Sequence, residues 1–467
     1  MPYFYIKKTD IMPLVWLSCS LAALAGLLFG MDIGLISGAL RFITIEFNLT
    51  PSIEGWIVGS MMFGAAIGAI IASSISSNFG RKNALLLSAL LFFLGSLVAV
   101  LAVNINIVII ARIILGLAVG VASFTTPIYL SEIAPECIRG TMISLYQLMV
   151  TIGILIAFIS NLIFSYIKSW RCMFGVLMVP AIILFIGVLI VPNSPRWLIN
   201  QNRLLEARKI LWKIRSSKNE IEYEIKEIKE CISSNSKTNG FNFFKSNYNF
   251  RRSVFLGITL QIVQQFTGIN IMMYFAPHIF ELTGFNDTAA QLWSTAIIGL
   301  VNLLATFIAI AFVDSIGRKA LLYTSFSIMS LGMAILGVSL HIGAKNNEFV
   351  KYTSMASLVI FVVGFAMAAG PIIWTLCAEI QPINGRDFGI SCSTIANWLT
   401  NMLIGTFFLS ILNNIGGDIT FSILAIFNIL FIIFTRFFVP ETIGVSLEQI
   451  EKNLMSGKDL RKLGNKT

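Results

Sequence analysis

Two charged residues interrupt apolar stretches of this chain, and their chemistry is the most informative feature of the sequence. Asp32 lies within the apolar run from Leu14 to Leu40, and Arg112 lies within the run from Ile107 to Leu130. A charge placed in hydrocarbon is costly, so it usually has a partner or a function. An acid and a base inside membrane-spanning segments favour transport that is coupled to a proton or another ion.

The positions of these two charges predict that they meet. Asp32 lies in the second half of the first apolar run, and Arg112 lies a few residues after the start of the fourth, which places them at a similar depth. Burial and a neighbouring guanidinium act in opposite directions on the affinity of a carboxyl group for a proton. A movement that separates the pair would therefore switch proton binding. The alternative is a static ion pair that only joins two helices.

The composition identifies the class of protein. The chain has 467 residues, of which 56% are hydrophobic and 12% are charged, and its mean hydropathy is +0.83. Soluble domains carry about 25% charged residues, and a membrane-spanning helix needs roughly 20 apolar residues. We therefore expect an all-α integral membrane protein with twelve spans. The predicted spans are 14–36, 54–75, 84–103, 107–130, 141–165, 171–192, 253–276, 289–312, 318–341, 352–378, 388–412 and 418–438.

The distribution of positive charge predicts the orientation of the spans. Most of the 33 Lys and Arg residues lie before the first span, after the last, or in connections that follow even-numbered spans. Cytoplasmic loops collect Lys and Arg, so both termini should be cytoplasmic. The net charge of +10 is thus explained by topology and by contact with membrane lipid, and no nucleic-acid partner is expected.

The chain is built from two related halves. Gly80-Arg81-Lys82 recurs as Gly317-Arg318-Lys319, and the Glu132-Ile133-x-Pro135 motif recurs as Glu379-Ile380-x-Pro382. Such halves characterise one plan of membrane transporter, in which the substrate binds between two six-helix bundles. The predicted domains are an N-terminal bundle (1–192), a cytoplasmic linker with short amphipathic helices (193–252), and a C-terminal bundle with a short tail (253–467).

Small and amide side chains stand at helical spacing in two spans. Gly116 and Gly120 follow Arg112 at i+4 and i+8, which predicts close packing of the fourth span on a neighbouring helix. In the seventh span, Gln261, Gln264 and Gln265 share one face. Amides both donate and accept hydrogen bonds, which suits either sugar hydroxyl groups or interhelical contacts, and the spacing alone leaves both readings open.

These landmarks resemble those of the sugar porter family of the major facilitator superfamily, along essentially the whole chain. The further motifs that carry the resemblance are Pro192-Asn193-Ser194-Pro195-Arg196, Gln264-Gln265-Phe266-x-Gly268-x-Asn270 and Pro440-Glu441-Thr442. One departure is Asn193, which stands where the family usually has Glu. The resemblance implies two pseudo-symmetric six-helix bundles with the major facilitator fold.

The resemblance also implies roles for individual residues. It assigns proton coupling to Asp32 and Arg112. It implies sugar contacts, with a set of amide and tryptophan side chains: Gln147, Gln264, Gln265, Asn270, Asn302, Trp374, Asn397 and Trp398. Phe29 and Tyr274 flank or gate the sugar, with ordinary aromatic packing as the alternative. Gln261 matches no binding position of the family and is expected to be a packing residue.

Charged residues at the cytoplasmic helix ends suggest a latch. We expect ion pairs that form when the substrate cavity faces outward and break when it faces inward, without an assignment of acid to base. The residues are Arg81, Glu132, Arg139, Arg318, Glu379 and Arg386. Solvated helix ends are the alternative interpretation.

The resemblance implies import of a monosaccharide by proton symport in the inner membrane of a bacterium, by a monomer without a cofactor. A pentose-transporting member of the family has Gln where this chain has Asn397, and the shorter side chain favours a hexose such as galactose. The alternatives are a pentose–proton symporter, a passive facilitator, which Asp32 argues against, and a non-transporting sensor, for which the sequence after Pro440 is short. No enzyme is expected, because no catalytic cluster or metal-ligand spacing is present; the six cysteines are scattered.

Overall fold

The computed structural model describes residues 12–215, 217–234, 240–343, 347–382, 385–443, 445 and 447–464. These residues form helices and connections, and no strand occurs among them. Twelve helical segments of the described chain are long and apolar enough to cross a membrane, which confirms the prediction of twelve spans.

The first six spans are formed by seven helices. The sixth span contains two of them, α6 and α7. The helices are α1 (Pro13–Phe47), α2 (Pro51–Phe79), α3 (Arg81–Val100), α4 (Ile105–Ile133), α5 (Glu136–Ser165), α6 (Trp170–Gly175) and α7 (Met178–Ile190).

Four shorter helices follow in the polar interval between the two sets of spans. They are α8 (Pro195–Asn200), α9 (Leu204–Ile214), α10 (Lys218–Ser234) and α11 (Gly240–Ser246). On α9 the residues Ala207, Leu211 and Ile214 recur at helical spacing and are buried, so this helix lays its apolar face against the protein.

The second six spans contain two interrupted helices. The seventh span is broken between α12 and α13, and the tenth contains a π-helix (Phe365–Ala369) between α16 and α17. The helices are α12 (Tyr248–Phe266), α13 (Ile269–Leu282), α14 (Thr288–Ile316), α15 (Arg318–Ile342), α16 (Glu348–Gly364), α17 (Gly370–Glu379), α18 (Arg386–Ile415) and α19 (Gly417–Phe438). The tail adds α20 (Leu447–Met455) and a 3₁₀ turn (Leu460–Lys462).

The repeated Gly-Arg-Lys motif has the same backbone geometry in both halves. Gly80 precedes α3 with φ 93° and ψ 157°, and Gly317 precedes α15 with φ 98° and ψ 149°. Only glycine adopts such angles without strain. A Cβ at Gly80 would also approach the Trp197 ring at 3.2 Å. The glycine of the motif therefore produces the same sharp turn of the backbone before α3 and before α15.

The described residues fall into two compact units. The first consists of those within Met1–Asp32, Gly64–Gly153 and Phe174–Lys237. In this unit α4 packs on α2 with almost no side chain between the backbones, because a Cβ at Gly64 would lie 3.1 Å from Gly116 Cα and a Cβ at Gly120 would lie 2.8 Å from Gly68 Cα. The close packing predicted from Gly116 and Gly120 is confirmed.

The second unit joins one end each of α1, α2 and α5 to the later spans. It consists of the described residues within Ile33–Phe63, Ile154–Met173 and Thr238–Thr467. Here Arg41 Nη1 donates a hydrogen bond to Gln291 Oε1, and a Cβ at Gly59 would overlap Thr406 Oγ1. The units cut across α1, α2 and α5, and the three-part division at residues 192 and 252 stays a prediction.

Candidate functional site

Asp32 and Arg112 form a fully buried ion pair. Asp32 is on α1 and Arg112 on α4, both with 0% exposure, and Arg112 Nη1 donates to Asp32 Oδ1 at 2.6 Å. A Cβ at Gly153 of α5 would lie 2.9 Å from Met31 N, so α5 packs tightly beside the acid. The contact expected from their similar depth is present, and it lies within the first unit.

A single hydrogen bond within the described part of the chain holds the pair together. Among the described residues, Asp32 Oδ2 accepts no hydrogen bond, and Arg112 Nε and Nη2 donate none. Arg81 and Glu132 differ, because Nε and Nη2 of that arginine bind both carboxylate oxygens at 3.0 Å. A fork-to-fork contact is the strong, geometrically fixed form of this interaction. The protein atoms described thus leave one carboxylate oxygen of the Asp32 pair available for a proton.

Three amide side chains form a connected cluster in the second unit. Gln264 of α12 donates from Nε2 to the carbonyl oxygens of Ala369 and Gly370, at 3.1 and 3.0 Å. Asn397 of α18 donates from Nδ2 to Gln261 Oε1 at 2.6 Å and to Gln264 Oε1 at 3.1 Å. The cluster is buried, and it connects α12 to α18 and to the residues that precede Pro371.

A break in the seventh span brings two further amides together. Thr267 and Gly268 separate α12 from α13, and Gly268 has φ 95°, a left-handed conformation that glycine adopts freely. Asn270, in the first turn of α13, therefore reaches Gln265 in the last turn of α12, and its Nδ2 donates to Gln265 Oε1. These bonds leave Gln265 Nε2 and Asn270 Oδ1 as the polar atoms of this pair for a ligand.

The remaining predicted sugar-contact residues differ in exposure. Trp374 lies on α17, four residues after Gly370, which follows the π-helix, and is 40% exposed. Trp398 lies on α18 beside Asn397 and is 3% exposed. Asn302 of α14 is buried as well. An exposed tryptophan face suits the C–H groups of a sugar ring, whereas Trp398 is mostly enclosed by protein.

The predicted gate residues lie in different units. Tyr274 of α13 is buried, and its hydroxyl accepts a hydrogen bond from Asn401 Nδ2 at 3.1 Å. Phe29 of α1 and Gln147 of α5 are half-buried residues of the first unit. The fixed Tyr274 hydroxyl means that any gating by this ring must also move Asn401.

Four of the charged residues predicted to form a latch make ion pairs, and each pair joins residues of the same half. Arg81 binds Glu132, and Arg318 Nη2 lies 3.3 Å from Glu379 Oε1. Glu379 Oε2 also accepts a hydrogen bond from Thr442 Oγ1. Arg139 is exposed, and Arg386 Nη2 donates to the Gln381 carbonyl at 3.5 Å. The structure thus assigns acid to base where the sequence left them open, while the function of the pairs as a latch stays a prediction.

Two residues that bind predicted site residues, Gln261 beside Asn397 and Asn401 beside Tyr274, were not expected to be functional from the sequence. Gln261 was expected to be a packing residue, although it shares the face of Gln264, and Asn401 lies one turn after Asn397, which is the spacing that could have indicated it.

Among the described residues, no group of three or more His, Cys, Asp or Glu side chains could hold a metal ion.

Comparison with known proteins gives a consistent assignment. The family model described as "Sugar (and other) transporter" matches residues 18–454. The galactose-proton symporter of Escherichia coli K12 is 53% identical over 446 residues, with 96% of each chain covered. The arabinose-proton symporter of the same strain is 48% identical over 445 residues, which cover 95% of this chain and 94% of the relative.

Solved structures agree with this result. A partially occluded inward open conformation of the xylose transporter XylE from Escherichia coli matches with a TM-score of 0.81 and 30% identity, covering 92% of this chain and 99% of that one. A structure of XylE, a proton:xylose symporter of the major facilitator superfamily, bound to 6-bromo-6-deoxy-D-glucose matches with a TM-score of 0.79 and 30% identity, covering 94% of this chain and 98% of that one. The chain is therefore a multi-pass membrane protein with the major facilitator fold, and it belongs to the sugar transporter family.

Proposed function

We propose that the protein imports a monosaccharide by symport with a proton, and that the monosaccharide is galactose or a related hexose. The sugar binds at the amide cluster of α12, α13 and α18, and Asp32 carries the proton. Helix movements expose the sugar to one side of the membrane at a time.

The observation that carries this proposal is the buried Asp32–Arg112 pair with its single hydrogen bond. A passive carrier gains nothing from an acid in this position, because a charge in a membrane interior must be compensated. In a symporter, by contrast, a carboxylate that binds arginine in one conformation and a proton in another couples proton movement to transport. Proton binding at Asp32 Oδ2 would weaken the hold of Arg112 and so permit α1 and α4 to move relative to each other.

The amides support a sugar as substrate. Gln265 Nε2, Asn270 Oδ1 and the oxygen of Asn397 are the polar atoms that the internal hydrogen bonds leave over. They comprise a donor and acceptors on α12, α13 and α18 of the second unit, which also contains the exposed Trp374. Hydroxyl groups pair with both kinds of atom, and the ring face of a sugar packs on tryptophan.

Two relatives differ in the sugar they are named for, so the substrate needs its own argument. The chain is slightly more similar to the galactose-proton symporter than to the arabinose-proton symporter. The short side chain of Asn397, drawn toward Gln261 and Gln264, leaves more room than a longer amide, which favours a hexose. A pentose–proton symporter is the second candidate, supported by the arabinose relative.

We infer that the protein acts in the plasma membrane of a bacterium with both termini in the cytoplasm. The excess of Lys and Arg before the first span, after the last span, and after even-numbered spans supports this orientation. It makes the end of α1 near Phe47 and the start of α2 the outer side, and it makes Arg81, Glu132, Arg318 and Glu379 cytoplasmic. The cytoplasmic pairs would then tie helix ends within each half while the halves move.

Uptake with simultaneous pH recording tests this function. Cells that express the chain should accumulate labelled galactose, and unlabelled galactose added to lightly buffered cells should make the medium more alkaline. Arabinose, xylose and glucose serve as competitors. Accumulation without alkalinisation would contradict proton coupling, and stronger competition by arabinose than by glucose would favour the pentose reading.

Asn270→Ala is expected to weaken galactose binding about tenfold, because a half-buried hydrogen-bonding partner of the sugar is lost. Isothermal titration of the purified protein measures the change. Asn270 is a better target than Gln264, whose amide also binds two backbone carbonyl oxygens and so contributes to the fold. Asn83→Ala is the matched control and should leave the affinity unchanged, because Asn83 is an exposed residue of α3 whose Nδ2 donates to the Phe79 carbonyl oxygen at the end of α2.

A further inference from the structure

Gln261 lies at the centre of a chain of side-chain hydrogen bonds, although no sugar contact was expected of it. It is fully buried on α12. Its Oε1 accepts from Asn397 Nδ2 at 2.6 Å, and its Nε2 donates to Cys377 Sγ at 3.6 Å. A residue that only filled space would not need an amide in this position.

Backbone carbonyl groups anchor both ends of this chain. At one end Gln264 Nε2 faces the carbonyl oxygens of Ala369 and Gly370. Carbonyl oxygens only accept hydrogen bonds, so the Gln264 amide must turn its Oε1 away from them. That oxygen faces Asn397, which must therefore donate.

The opposite end imposes the same direction. Cys377 Sγ donates to the Gly257 carbonyl at 3.5 Å, so its sulfur lone pairs are left to accept from Gln261 Nε2. Gln261 must then present Oε1 to Asn397. Asn397 donates both hydrogens of Nδ2 to these two acceptors, and no hydrogen bond to its Oδ1 occurs among the residues that the structure describes.

We propose that Gln261 is a positioning residue that holds the Asn397 amide with its oxygen available, so that this part of the site accepts a hydrogen bond from one sugar hydroxyl group. This inference rests on the proposed function, in which Asn397 contacts the sugar. A flipped Asn397 would place its oxygen against the oxygens of Gln261 and Gln264, and such pairs of acceptors repel. The site therefore requires a donor at one position of the sugar.

Galactose analogues with one hydroxyl group replaced by fluorine test this requirement, because a C–F group cannot donate a hydrogen bond. For each analogue the measured quantity is its Kd divided by the Kd of galactose, from isothermal titration of the purified protein. Wild type should show a ratio of about ten at the hydroxyl group that reaches Asn397. Asn397→Ala identifies that position, because the ratio there should fall toward one.

Gln261→Met keeps the length of the side chain but removes one acceptor. One hydrogen of Asn397 Nδ2 still binds Gln264 Oε1, and the hydrogen released from Gln261 becomes an N–H group that the amide can present to the sugar. We expect the fluorine ratio at the identified position to fall to about three or less, with the other positions unchanged. Gln261→Glu retains an acceptor oxygen and should keep the wild-type ratio. Cys377→Ala releases the amide of Gln261 without removing it and should lower the ratio in the same direction, which provides a second test if the Met variant does not insert.

The outcomes separate this inference from the function on which it rests. Failure of wild type to bind any of the sugars would overturn both. Binding of galactose with no effect of Asn397→Ala on any ratio would overturn the role of Asn397 and with it this inference, while leaving sugar transport intact. In a third outcome, Asn397→Ala lowers the fluorine ratio but Gln261→Met and Cys377→Ala leave it unchanged. That result would show that Gln261 only packs, because a packing defect changes every Kd by a common factor and so does not alter their ratio.

Discussion

Asp32→Asn should abolish accumulation of galactose while exchange of labelled for unlabelled sugar continues. In energised wild-type cells, one proton per sugar provides about 2.3 kcal/mol per 100 mV of membrane potential, which supports roughly fortyfold accumulation. Asparagine is nearly isosteric and keeps an acceptor for Arg112 Nη1, but it cannot carry a proton. The internal-to-external ratio should therefore fall to about one. Radiolabel uptake in energised cells and counterflow in de-energised vesicles measure the two activities.

The variant also leaves Arg112 as an uncompensated buried cation, so its stability has to be separated from its coupling. Loss of one partner of a buried pair costs about 3–5 kcal/mol, and reduced expression is expected. Retained counterflow shows that the molecules present are folded. Glu46→Gln is the matched control, since Glu46 is an acid of the same helix whose carboxylate is 40% exposed and paired with Arg171. It should accumulate sugar normally, whereas normal accumulation by Asp32→Asn would rule out Asp32 as the proton carrier.

The spans were the part of the fold that the sequence predicted best. Hydrocarbon thickness requires long apolar runs, and that requirement is visible in composition alone. The helices nevertheless extend beyond the runs: α1 continues to Phe47 and α2 begins at Pro51, because a helix does not have to stop where the hydrocarbon does. Glycine and proline commonly interrupt membrane helices, and Gly268 and Gly370-Pro371 lie at the two interrupted spans, but the sequence did not indicate the π-helix at Phe365–Ala369.

The partners of residues within the site were harder to predict from the sequence. Similar depth was enough to predict the meeting of Asp32 and Arg112, because both are isolated charges in apolar helices. Glu132 and Glu379 were different, since several bases lie at the same membrane face and pairing depends on the geometry of helix ends. Gln261 shows the same limit. Periodicity places it on the face of Gln264, yet its role depends on α17 and α18, which lie more than a hundred residues away in sequence.

The largest effect outside the proton site is expected at Gly59, where α2 meets α18. A Cβ at Gly59 would overlap Thr406 Oγ1, and a Cβ at Gly55 would overlap the Thr406 carbonyl oxygen. One turn of α2 thus lies directly on the carbonyl and hydroxyl groups of Thr406 in α18. In the same contact, a Cβ built at Gly405 would lie 3.3 Å from Val58 Cγ1. In the proposed orientation these are outer ends of the two halves, so their contact closes the outer side.

Gly59→Leu should hold these helices apart and reduce galactose uptake at least tenfold. Overpacking costs about 1–3 kcal/mol, and here the cost falls only on the conformation in which α2 touches α18, so the equilibrium shifts toward the conformation with the outer side open. Purified protein should still bind galactose, which a misfolded variant would not. Gly140→Leu is the control, because a Cβ there meets nothing within 4 Å. Normal uptake by Gly59→Leu would mean that transport does not require this contact, and alternating access would then have to close the outer side elsewhere.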